Sequence, residues 1–211
     1  MLEISMPDKA AGDVFTEALW DTYLKDNLNN LGQRVTAEPA SPVDGQLVSY
    51  VADATNGVEW MLRYYAADVS GYPWLFVGGP PVVAVSTTNS SRTNTAYGAL
   101  ASATPTISIP LAGDYDCEFG SGEVNWTSNG GVGYCKAGTS APGDDLDALV
   151  FYNYNATGAY LDNMSLPAFR ENRLTGLASG ATLQMYWRST TGAISAAQRK
   201  IKITPVRVAL P

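Results

Sequence analysis

The pattern of apolar positions changes character once, between residues 33 and 46. Before that point it is helical. In residues 16–32, TEALWDTYLKDNLNNLG, the side chains Leu19, Tyr23, Leu24, Leu28 and Leu31 recur on one face, and Asp21, Lys25 and Asn29 fall away from it. Thr16 suits an N-cap, Glu17 the first turn and Gly32 the stop. A helix of this length is marginal alone in water, so its apolar stripe requires a partner surface. Residues 34–45, RVTAEPASPVDG, have two prolines and a closing Asp-Gly and are expected to be a linker.

From residue 46 the period becomes two, with turn signals such as NG, SGYP, GGPP, SNGG, APGDD and TTG between short runs. Eleven strands are expected: QLVSYVAD, VEWMLRYYA, WLFVGG, PVVAVST, TISIPLAGDYDCEFG, EVNWTS, VGYCKAG, ALVFYNYNA, MSLPAFRENRL, ATLQMYWRS and RKIKITPVRVAL. Alternation assigns their faces. Tyr115, Cys117 and Phe119 form a core face against Asp114, Asp116 and Glu118; Leu183, Met185 and Trp187 form another against Gln184, Tyr186 and Arg188. Pro205 interrupts the last strand and suggests an edge or bulge. The expected fold is mainly β: an antiparallel, jelly-roll-like sandwich over residues 46–211, behind one amphipathic α-helix within residues 1–33.

Composition narrows the chemistry. The chain of 211 residues has no histidine, which removes Ser-His and Cys-His catalysis and most zinc sites. Its formal charge of -7 disfavours nucleic acid. No apolar run reaches membrane length, and MLEISMPDKAAGD does not have the pattern of a secretory signal. Cys117 and Cys135 are two buried thiols or one disulfide, and spacing leaves both open.

Three groups of side chains carry possible chemistry. Asp144, Asp145 and Asp147 could hold a calcium ion or form a solvated turn, and the turn is preferred because the spacing is not that of an EF-hand loop. Asp114, Asp116 and Glu118 could act as paired acids or form a solvated outer face, again the preferred reading. Trp60, Tyr65, Tyr72, Trp74 and Trp126 are the candidates for a glycan or subunit contact, with ordinary core or surface positions as the alternative. Arg188, Arg199, Lys200, Lys202 and Arg207 are spread over the last strands and are read as offsetting the acidic surface. No cofactor, metal or enzymatic activity is expected.

Two resemblances extend this reading. AAGDVFTEALWDTYLKDNLNNL, with Gly12, Asp13, Thr16, Leu19, Leu24, Asp26, Asn27, Leu28 and Leu31 in place, resembles the N-terminal segment of tailed-phage tail proteins. Trp20 and Asp21 depart from that pattern, and Lys25 replaces its usual Arg. The following VDGQLVSYVADATNGVEWMLRYYAADVSGYPWLFVGGPPVVA is similar to a module of the same proteins, built on D-G, G-V-x-W-x-h-R-Y and W-x-F-V-G-G, where h is apolar. ISIPLAGDYDCEF and RLTGLASGATLQMYWRS resemble two strands of complement- and tumour-necrosis-factor-like jelly rolls. The resemblances imply a virion protein assembled in the host cytoplasm. It would be a homo-oligomer, with a trimer favoured, tied to other virion proteins through the helix and reaching the host surface. The alternatives are a capsid-decorating protein of the same kind of virion and a carbohydrate-binding module; a polysaccharide depolymerase is the enzyme to exclude.

Overall fold

The computed structural model describes residues 33–102, 104–126, 131–152 and 167–211. The helix expected over residues 16–32, with Leu19, Tyr23, Leu24, Leu28 and Leu31, lies outside the described residues. Within them the protein is mainly β, with thirteen strands in antiparallel and mixed sheets and no helix. The chain divides into two compact units: Met1–Pro80 with Val206–Pro211, and Pro81–Pro205.

The described residues of the first unit form one sheet. In order it holds β1 (Gln33–Val35), β2 (Leu47–Asp53), β3 (Val58–Tyr64), β4 (Trp74–Gly78) and the closing residues of β13 (Ile194–Ala209). β1 runs parallel to β2; the other pairs are antiparallel. The turn from β2 to β3 is made by Asp53, whose Oδ1 accepts the amides of Thr55 and Asn56, and by Gly57 at a φ of 66°. Along β3, Val58, Trp60 and Leu62 are buried while Glu59, Met61 and Arg63 are exposed. Residues 34–45 are fastened to this unit. Arg34 and Val35 pair with β2, and the Glu38 amide donates to the Pro211 carbonyl at 2.8 Å.

The described residues of the second unit lie in two sheets. In one, residues of β13 up to Pro205 pair with β5 (Val82–Ser86) and β6 (Ser90–Arg92) on one side. On the other side β8 (Ala112–Trp126) follows, then β11 (Ala168–Leu177). The second sheet runs β10 (Leu149–Tyr152), β9 (Val132–Gly138), β12 (Thr182–Ser189), β7 (Thr106–Ser108). Burial largely alternates along both sheets, except that Tyr186, expected on the outer face of β12, is buried as well. Tyr115, Cys117, Phe119, Leu183, Met185 and Trp187 are without exposed surface, and Trp187 stacks on Phe151 with centroids 5.7 Å apart. Cys117 and Cys135 are free and buried. Desolvation pushes the Cys117 thiol up to about 12 and that of Cys135 well above its ordinary value.

Several strand limits differ from expectation, for local reasons. TISIPLAGDYDCEFG is broken at Pro110, which has no N–H, and β7 ends at Ser108. β8 continues through Gly120-Ser121-Gly122 and absorbs EVNW. Buried Ser121 donates to the Ala197 carbonyl of β13 at 2.5 Å, and Gly122 leaves space for the Gln198 side chain. Pro205 lies between Ile203, the last residue of β13 paired to β5, and Arg207, the first paired to β4.

Candidate contact surface

Because Tyr115, Cys117 and Phe119 face inward, β8 turns Asp114, Asp116 and Glu118 outward. None of the three is a free acid. Asp114 is only 4% exposed and accepts the Gly176 amide at 2.9 Å. Asp116 lies directly across from Arg173 on β11 and accepts its Nε at 2.5 Å and its Nη2 at 3.2 Å. Glu118 lies across from Glu171, a like-charge pair that alone would be unfavourable. Two lysines of β13 offset it: Lys200 and Lys202 reach the Glu118 oxygens at 2.7 and 2.6 Å and hold its pKa below the ordinary value. The solvated acid face expected from the sequence is therefore a lattice of ion pairs, with Asp114 buried.

Apolar side chains interleave with that lattice. Val85 and Val83 on β5 register with Lys200 and Lys202 and are 66% and 41% exposed. Phe169 on β11 registers with Gly120 and is 45% exposed. A Cβ on Gly120 would come within 2.6 Å of Phe169 Cδ1, so the glycine is what lets the ring lie against the strand. Lys200 Nζ stands 5.7 Å from the ring centroid. The result is an outward sheet face with exposed valine and phenylalanine among balanced charges, in a form suited to contact with another surface.

The second acidic group is also neutralised. The loop after β9 brings Asp144 to Lys136 at 2.9 Å and Asp147 to Arg170 at 3.0 Å. Asp145 accepts Arg188 Nε at 2.7 Å, a second bond from Arg188 Nη2, and the Tyr97 hydroxyl at 2.8 Å. Arg188 lies 4.0 Å from the Tyr134 ring centroid. Hydrogen bonds from Arg188 hold the Asp145 carboxyl below its ordinary pKa, and those from Lys136 do the same for Asp144. Asp147 adopts a φ of 60° and accepts Arg170 Nη2. The carboxylates diverge towards three bases. Among the described residues no group of three His, Cys, Asp or Glu side chains could hold a metal ion.

The aromatic candidates do not converge. Trp60 and Trp74, named above as glycan or subunit contacts, are wholly buried. Period two places Trp60 with Val58 and Leu62 on the inner face. The indole N–H of Trp60 donates to the Pro80 carbonyl at 2.9 Å and that of Trp74 to Glu38 at 3.2 Å. Tyr65 is 44% exposed and Tyr72 half-buried in the same unit, while the Trp126 side chain lies outside the described residues. Sequence reasoning missed Phe169. The available signal was its phase: it alternates in step with Glu171 and Arg173, so an aromatic falls on the charged face of its strand.

Four of the five basic positions hold acids: Arg188 with Asp145, Lys200 and Lys202 with Glu118, and Arg207 with Asp68 at 3.8 Å. Arg199 differs. It is wholly buried, and its Nη2 donates to Ser86 Oγ at 3.2 Å and to the carbonyls of Thr88 and Ser102 at 2.8 and 3.2 Å. Burial lowers its pKa. Arg199 is a bolt between β13 and two loops, not a surface charge. No family model matches this chain, and no curated protein matches it.

Proposed function

We propose that the chain is a non-enzymatic structural protein of a tailed-phage virion: a tail-associated oligomer that projects a jelly-roll-like β-sandwich towards the host. The observation that carries this reading is the tandem resemblance across residues 11–85. Its second part, from VDGQLVSYVAD to WLFVGG, folds as the consecutive strands β2, β3 and β4 of one compact unit. The preceding residues carry the apolar stripe of Leu19, Tyr23, Leu24, Leu28 and Leu31, which suits an anchor to neighbouring virion proteins. The two sheets of the second unit, with alternate residues buried, support the sandwich. The face of Val83, Val85 and Phe169 supports contact between copies, and a trimer remains the favoured state.

The engagement of Asp114, Asp116, Glu118, Asp144, Asp145 and Asp147 by bases or amides supports a structural role over general acid–base chemistry. The test is location together with mass. A labelled antibody against the second unit is expected to decorate the tail of intact virions under the electron microscope; decoration of the head would favour the capsid alternative. Light scattering after size exclusion is expected to give a trimer for the full chain, and a stable monomer would count against the reading.

A further inference from the structure

We propose that copies of this chain meet through the outer face of β5, β13, β8 and β11, about an axis parallel to those strands. Val83 and Val85 of one copy then cover Phe169 of the next. The proposal rests on the oligomer of the proposed function and specifies its contact; it does not depend on where in a virion that oligomer sits.

The face is built of two rows that run across the strands. In the first, Val85 registers with Lys200 and Phe169 with Gly120, and Lys200 Nζ reaches to 5.7 Å from the Phe169 ring centroid. In the second, Val83 registers with Lys202, Lys202 Nζ reaches Glu118 at 2.6 Å, and Glu118 registers with Glu171. Exposed apolar surface therefore lies at both margins: the valines on β5, and Phe169 on β11, the end strand of its sheet. Three strand spacings, about 14 Å, separate the margins. Phe169 is thus too far away to cover the valines of its own chain.

Charge is divided in the same direction. The β13 half of the face carries Lys200 and Lys202; the β8 and β11 half carries Asp116, Glu118 and Glu171 against Arg173. An axis lying across the strands would set each strand against its own counterpart, lysines on lysines and Glu171 on Glu171, which like-charge repulsion opposes. An axis along the strands keeps every residue at its own level and exchanges the two halves. Lysines then face acids, and Val85 falls opposite Phe169 within the first row. Exposed Glu171, which has the like-charged Glu118 directly across from it, is turned towards the lysines of the next copy. Apolar burial and charge thus select the same axis. For two copies the faces lie flat on one another. For three, the β5 margin of each copy meets the β11 margin of the next, and the ring closes.

The experiment is disulfide trapping in the full chain. Val85→Cys and Phe169→Cys replace exposed side chains, whereas Cys117 and Cys135 are buried, so the new thiols are the accessible ones. The two single variants are coexpressed and treated with oxidised glutathione, which takes up the two electrons and two protons released as the disulfide forms. A linked pair of chains is expected from the mixture and none from either variant alone. A variant that links to itself would show like strands facing each other, and a mixture that fails to link would place the contact elsewhere; each overturns the proposal. Glu171→Lys tests it without cysteines: the dissociation constant is expected to rise roughly tenfold at low salt, with the loss shrinking as salt is added. An unchanged constant would also overturn it. Unchanged near-ultraviolet circular dichroism would show that each variant folds. An oligomeric mass without mixed links defeats this contact and leaves the proposed oligomer standing, whereas a monomeric mass of the parent chain defeats both.

Discussion

Arg199 shows how a single side chain can be expensive in two opposite ways. Its guanidinium has lost all contact with solvent, and its Nε and Nη1 have no hydrogen-bond acceptor among the described residues. Removing it nevertheless leaves the Thr88 and Ser102 carbonyls without its donor and opens a cavity. Arg199→Ala is expected to cost about 3 kcal/mol in urea unfolding, with Arg199→Met recovering part by filling the volume without burying charge. Equal losses in the two variants would mean that the hydrogen bonds, not the packing, dominate. Gly120 makes the same kind of point with no side chain. An added Cβ meets the Ala168 carbonyl oxygen and the Phe169 Cα, backbone of the paired strand that would have to shift. Gly120→Ala is expected to destabilise by about 2 kcal/mol, whereas Gly143→Ala, where a Cβ meets nothing within 4 Å, is expected to leave the urea midpoint unchanged.

At the scale of elements, the loop held by Lys136, Arg188 and Arg170 is the clearest electrostatic device. Asp144 and Asp145 have pKa values lowered below 3.8. Their contribution is therefore complete above the unfolded value and is lost as pH falls through the lower folded value. The loop is expected to stay closed at pH 5 and to open below about 3.8 in amide exchange. In Arg188→Met that opening should move to higher pH, with a stability loss of about 1 kcal/mol because the pair is partly exposed. Strand existence was largely legible in the sequence because alternation such as Tyr115, Cys117, Phe119 against Asp114, Asp116, Glu118 follows from the pleat alone. What escaped was tertiary. β1 and β6 are three residues each and too short to show a period. The strands expected to end at Gly120 and to restart at Glu123 are one, because Ser121 finds the Ala197 carbonyl. The face that each aromatic shares was legible as phase, as with Phe169 beside Glu171 and Arg173, but the sheets were needed to place Trp60 and Trp74 inward.

At the scale of the whole molecule, the proposed assembly makes two demands. A chain beginning at residue 36 keeps the face of Val83, Val85 and Phe169 and loses the helical stripe. If the face holds the copies together, it remains a trimer in light scattering; if the helix does, it becomes a monomer. The double variant Val85→Glu, Phe169→Glu adds charge at two exposed positions and should leave the unfolding midpoint within about 0.5 kcal/mol of the parent. In the truncated chain it is expected to lower the mass to that of a monomer. A trimer that survived both changes would place the contact elsewhere.

The first unit is closed by residues at the far end of the chain. Val208 pairs with Trp74, Arg207 with Leu75, and the Pro211 carbonyl receives the Glu38 amide. During synthesis, β1 to β4 therefore leave the ribosome as an unfinished sheet and wait for the entire second unit to be translated before their last strand arrives. A product cut short at residue 205 would keep the sequence of every strand of the second unit yet expose the open side of β4, a strand edge that invites pairing with other chains. Completion of the first unit thus depends on the residues after Pro205, and β4 gains its second neighbour only once they have been made.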